Sequence, residues 1–256
     1  MKDKWTTRLK LKRISRYVII FCLVFLIILA GFTLYGDRVG NFTVILKEDK
    51  VKISACLSKN FKTDATSRFD VPGIEYLSAT TYHDLPDSLS HNVGIKNDEQ
   101  RKYMAFSFYL INGSKQAIGY DLSVEILDEL AGTKDKSYKP SDALRILILA
   151  ESDIDDELEG SANLKEDGVV YARQEDSQEG IDELKAANYP EGKVKYFAND
   201  SVIIKQEKIA FAVGGVKKYT VVIWLEGYDI SCKNELIGGR LKMRMNFNAY
   251  EMEEKI

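Results

Sequence analysis

The chain has 256 residues, 45% of them hydrophobic, with four prolines and two histidines. That hydrophobic content argues against bulk disorder, and the length suits one domain, or one domain plus a membrane segment. Net charge is −3, and with His83 and His91 the only imidazoles, any histidine chemistry must use one of these two.

The charge is unevenly spread. Residues 1–16 carry seven basic groups against Asp3 alone, a net of +6, which leaves −9 for the rest. An acidic remainder argues against nucleic-acid binding, which relies on clustered Lys and Arg.

Residues 17–36 read YVIIFCLVFLIILAGFTLYG and contain no charged group. As a helix, twenty residues span about 30 Å, the thickness of a hydrocarbon core. A transmembrane signal-anchor helix is therefore expected over 17–36, and its partner is the lipid bilayer. The preceding basic tail, 1–16, is expected to stay cytoplasmic, which places 37–256 outside the cell. Cleavage would have to follow Ala30 or Gly36. Both sites lack a small residue three positions earlier, where Ile28 and Leu34 stand, so the anchor is expected to be retained.

Beyond the anchor, Phe42–Leu46 is a short apolar run. In 51–57, Val51, Ile53, Ala55 and Leu57 alternate with polar positions, the period of a strand with one buried face. Residues 60–100 are rich in Ser, Thr, Asp, Asn and Gly and read as a long irregular excursion. The core resumes at 102–111, with Met104, Phe106, Phe108 and Leu110 on one face. Asn112-Gly113-Ser114-Lys115 then reads as a tight turn into a strand bearing Leu122, Val124 and Ile126, so a β-hairpin is expected.

A further strand is expected at 144–149 (LRILIL). From Glu151 to Glu183, thirteen carboxylates stand against Lys165 and Arg173. Such a block cannot bury itself, so 151–187 is expected to be an acidic insertion. Strands follow at 202–204, 209–213, 219–225 and 241–247. Eight or nine short strands with few helices predict a mainly β fold. The expected form is an antiparallel β-sandwich of jelly-roll or Ig-like kind.

Candidate chemistry is sparse. Cys56 and Cys232 would lie in an oxidising compartment, where a disulfide is expected. It would close a loop of about 175 residues and stabilise by ~4–5 kcal/mol on the chain-entropy view. Cys22 lies in the apolar segment and reads as a small apolar residue. Asp153, Asp155, Glu157 and Glu159 alternate and could form a weak calcium site, although Leu158 and Leu164 occupy positions where an EF-hand needs Gly and Glu. His83, Asp84, Asp87 and His91 cluster in a polar loop and read as solvated side chains. Trp224 and Glu226 read as a core tryptophan and a turn carboxylate, with a ligand edge as the alternative. There is no HExxH, GxSxG or SxxK motif. No catalytic residue, no metal and no cofactor is expected.

Tyr35–Phe42, Tyr109–Asn112, Ala143–Arg145, YTVVIWLEGYDISC (219–232) and GGRLKMRMNF (238–247) resemble uncharacterised, N-terminally anchored surface proteins of Gram-positive, clostridia-like bacteria. More distantly, the layout is similar to exported β-sandwich proteins of the camelysin and TasA kind. The nearer resemblance implies no activity. The distant one implies assembly by strand addition, with 42–46 as the added strand after signal cleavage. It would also imply a metal-dependent protease, for which the residues are absent. The expected role is thus a non-enzymatic surface protein in contact with a protein or the cell envelope. The alternatives are a secreted fibre or biofilm-matrix subunit and, less favoured, an extracellular hydrolase.

Overall fold

The computed structural model describes residues 17–29, 42–48, 50–58, 64–91, 93–152, 162–174 and 187–252. The chain divides into two units, Met1–Val39 and Gly40–Ile256. In the first, residues 17–29 form a helix whose large apolar side chains are exposed. Among the described residues no helix is long and apolar enough to cross a membrane. The basic tail, and residues 30–36 of the expected span, lie outside the described residues.

The second unit is mainly β, with twelve described strands in two sheets. One sheet holds β1 (Phe42–Glu48), β3 (Arg68–Val71), β6 (Ile118–Leu130), β10 (Val202–Phe211) and β12 (Arg240–Glu251), in the order β10-β6-β12-β1-β3. The other holds β2 (Ile53–Cys56), β4 (Gly94–Ile95), β5 (Tyr103–Asn112), β7 (Leu144–Ser152), β8 (Val169–Ala172), β9 (Val194–Tyr196) and β11 (Val216–Leu225). Its order is β2-β5-β11-β7-β8-β9, with β4 also beside β5.

The two sheets face each other across one core, because each contributes an apolar row of period two. Phe42, Met245 and Phe247 from the five-stranded sheet meet Phe106, Phe108 and Tyr219 from the other. Ring centroids of Phe42 and Phe106 lie 5.2 Å apart, and those of Tyr219 and Phe247 also 5.2 Å. Tyr120 and Tyr219 join the sheets through a hydroxyl–hydroxyl bond of 2.6 Å. Burial, opposed by that bond, pushes the Tyr120 hydroxyl up to about 12, so it is a neutral phenol at physiological pH.

The sandwich is not wholly antiparallel. β1 runs parallel to β12 over seven residue pairs, and β8 runs parallel to β9. A parallel neighbour needs a crossover rather than a tight turn, and between β1 and β12 the chain makes it by passing through the opposite sheet. The expected hairpin at Asn112-Gly113 is likewise corrected. β5 pairs with β11, β2 and β4, whereas β6 pairs with β12 and β10 in the opposite sheet. The backbone bonds of Asn112 and Gly113 go instead to Gly215 and Lys52. Asn112 Nδ2 donates to Phe211 O, Ala212 O and Gln116 O, which ties two crossovers together. Gly113 has no positive φ, so the tight-turn geometry expected of Asn-Gly is absent.

The expected strands at 202–204 and 209–213 are one edge strand, β10, irregular between Gln206 and Ile209. The excursion over 60–100 is also more than a loop. Its residues 68–71 form β3, and Tyr82, Leu85 and Leu89 are buried on the outer face of the seven-stranded sheet. Beneath them lie Leu147, Leu149, Val222 and Trp224. That cover explains why LRILIL is apolar at every second residue on both faces: its sheet is buried twice. The expected acidic insertion over 151–187 is corrected in its described part. Residues 151–152 end β7, and 169–172 form β8 with Val170, Tyr171 and Ala172 buried, because the apolar residues between the carboxylates pair with β7. Residues 153–161 and 175–186 lie outside the described residues.

Candidate functional site

At the C-terminal end of β11, the strand pattern carries Trp224 to the covered face and Glu226 just past the strand. Glu226 is 1% exposed. Its Oε2 accepts from Trp224 Nε1 at 3.0 Å, Tyr189 Oη at 2.7 Å and the Tyr82 backbone N–H at 3.2 Å. Its Oε1 accepts from the Tyr228 backbone N–H at 3.3 Å. Four donors compensate the burial of one carboxylate.

Directly opposite Trp224 on β7 stands Arg145, fully buried. Its guanidinium pairs with Asp229 in the turn after β11, and both side chains are 1% exposed. Burial works against the Arg145 charge, but Asp229, Tyr189 and Glu226 outweigh it and raise the pKa of the guanidinium. Burial also drives the Tyr189 hydroxyl far above its ordinary value, so it donates as a neutral phenol. The Tyr82 ring lies tilted against Tyr189, with centroids 4.8 Å apart, and its hydroxyl donates to the Lys165 carbonyl.

Cys232 lies half-buried beside this cluster. Burial, then the charges of Asp229 and Glu226, push its thiol up to about 11. A thiol held protonated is a poor nucleophile. The carboxylates and hydroxyls here have partners, although Arg145 Nε is buried without one, and the arrangement clamps three loops against the sheet: 80–82, 189 and 226–232. A second buried pair, Lys218 with Glu151 at 3.3 Å, lies further along the same two strands and also holds the Ser90 carbonyl.

The residues singled out in the sequence fall as follows. Cys56 and Cys232 are not bridged to each other, which corrects the expected disulfide. Cys56 is paired opposite Tyr109 on β5, whereas Cys232 belongs to the Arg145–Asp229 cluster beyond Trp224, which pairs with Tyr103. Six residues of strand separate those two points, about 20 Å, and a bridge needs Cα atoms within roughly 7 Å. Cys56 Sγ donates to the Ser58 carbonyl instead. Asp153, Asp155, Glu157 and Glu159 lie outside the described residues.

His83 and Asp87 stand on two short 3₁₀ turns, with the His83 carbonyl and the Asp87 carboxylate both contacted by Lys165. Among the described residues no three His, Cys, Asp or Glu gather to hold a metal ion. Sequence reasoning missed Arg145 and Lys218. For Arg145 the signal was there, since a lone cation inside an apolar strand run marks a buried partner; Lys218, next to Lys217 at the start of β11, carries no such mark.

Comparison of the chain with models of protein families, with curated proteins and with solved structures finds no match.

Proposed function

We propose that this protein is a membrane-tethered β-sandwich that faces the cell exterior and acts by contact, without catalysis. The observation that carries the reading is the N-terminal pattern: seven basic residues followed by twenty residues without a charge. A helix over 17–29 whose apolar side chains are exposed supports it, since such a surface needs an apolar partner. The resemblance to anchored surface proteins points the same way. The sandwich itself reads as jelly-roll-like, because consecutive strands repeatedly change sheet. The satisfied clamp around Glu226 favours a structural over a catalytic role for its most polar interior groups.

The fibre reading, by strand addition through 42–46, requires β1 to leave its place between β12 and β3, where both its edges are paired. The tethered reading requires no such exchange. The test is the intact mass and fractionation of the protein from the cells that make it. A mass near 29.0 kDa in the membrane fraction is expected. A shortened, soluble form beginning near Gly31 or Asp37 sinks the tether and revives the fibre.

A further inference from the structure

The seven-stranded sheet has its outer face covered, whereas the five-stranded sheet carries a polar outer face. At its centre stand residues that strands ordinarily avoid. Asn246 and Asn248 on β12 lie directly opposite Ser123 and Asp121 on β6. Asn and Asp are depleted in strands, and a solvated sheet face has no structural need of such a cluster. Departures from local preference of this kind concentrate at functional sites.

The same four residues line a cleft of about 220 Å³, walled by Glu125 and Lys205. Its floor holds a polar atom without a partner. Asn246 is 6% exposed, and its Nδ2 donates to Ser123 Oγ at 3.2 Å. Ser123 Oγ in turn donates to Glu125 Oε1, and Arg244 holds the other Glu125 oxygen at 2.8 Å. This chain fixes which way the amide points. Asn246 Oδ1 is left buried with no hydrogen-bond partner, a costly state unless a donor satisfies it.

Beside the cleft, the Tyr250 ring lies over Gly119, where an added Cβ would come within 2.5 Å of it. Its hydroxyl meets Asp121 at 3.2 Å. The glycine thus lets an aromatic edge lie on the strand next to the polar row. A small ring bearing several hydroxyls matches this set: donors for Asn246 Oδ1 and Asp121, acceptors for Asn248 and Lys205, and an apolar face for Tyr250. The volume is below the roughly 300–1,000 Å³ of drug-sized pockets and suits a single ring on an open face.

We propose that the Asn246–Asp121 cleft is a saccharide-binding site, which takes one ring of a neutral glycan. The Lys205 side chain, 64% exposed and paired with Glu207 at 2.7 Å, stands on the wall of this cleft, from which it can turn to donate to the ring. The proposal deepens the contact function above by naming the class of envelope ligand.

The full chain in mild detergent is screened on immobilised oligomers of N-acetylglucosamine, glucose, mannose and galactose. The best-retained oligomer is then titrated by calorimetry. Asn246→Leu and Asn248→Ala should each weaken binding at least tenfold while leaving the melting temperature of the exposed Asn248 variant unchanged. No retention of any oligomer overturns the proposal. So does binding that both variants keep, or capture by this face of a peptide in place of a sugar. A protein that stays in the membrane but binds no glycan defeats only this inference. One that is soluble yet binds glycan defeats only the tether.

Discussion

Arg145 on β7 and Asp229 beyond β11 form an ion pair in which each side chain is 1% exposed, so a turn is fastened to the sheet by two charges removed from water. Breaking one partner leaves an uncompensated buried charge, which typically costs 3–5 kcal/mol. Asp229→Asn should therefore destabilise by about 3 kcal/mol in urea unfolding. The double variant Arg145→Met, Asp229→Leu should recover most of that loss. A double variant no more stable than the single would mean that the pair itself, and not the orphaned charge, sets the cost.

Glu226 gathers donors from three separate segments. Glu226→Gln turns one acceptor into a donor that faces other donors. The expected loss is about 1–3 kcal/mol, with a red-shifted Trp224 emission as water enters. An unchanged spectrum and midpoint would show that these bonds contribute nothing to the clamp.

Cys232 should alkylate slowly. Its thiol, raised from 9.0 to about 11 by burial and by Asp229 and Glu226, has about 100-fold less thiolate at pH 8 than an ordinary cysteine. Iodoacetamide labelling followed by peptide mass spectrometry measures the rate directly. The folded protein also holds this proton more tightly than the unfolded chain. Stability is thus undiminished below about pH 9 and falls as pH rises toward 11. Native labelling as fast as in urea would contradict this placement.

Asn112 and Gly113 offer a test of topology. Asn112→Ala removes a side-chain amide whose two N–H groups are shared among three carbonyls of two crossovers and should cost about 2 kcal/mol. Gly113→Ala should change stability by less than about 0.5 kcal/mol, since its φ is not positive and only the flexible Lys52 side chain stands near the new Cβ. A large loss at Gly113 would favour the tight hairpin that Asn-Gly suggests by itself.

The sequence by itself determined where the longer strands run and which way their apolar faces turn, but not the short β3, β4, β8 and β9. Met104, Phe106, Phe108 and Leu110 alternate, and so do Leu241, Met243, Met245 and Phe247, because a pleated strand with one buried face admits little else. It also determined the contrast between a basic, then apolar, N-terminus and an acidic remainder. Partner choice was beyond it. Nothing local to Asn112-Gly113 says that β5 joins β11 while β6 crosses to the other sheet, since backbone hydrogen bonds are the same whichever strand supplies them. Nor does spacing show that Cys56 lies opposite Tyr109 at one end of β5 while Cys232 belongs with the turn beyond Trp224, which pairs at the other end. The buried charges were legible only as oddities. Arg145 interrupts an apolar run and Lys218 precedes one, but their partners Asp229 and Glu151 lie 84 and 67 positions away. Only the tertiary structure decides which long-range carboxylate meets which cation, because in a desolvated interior a charge is tolerated solely where the fold brings its counter-charge.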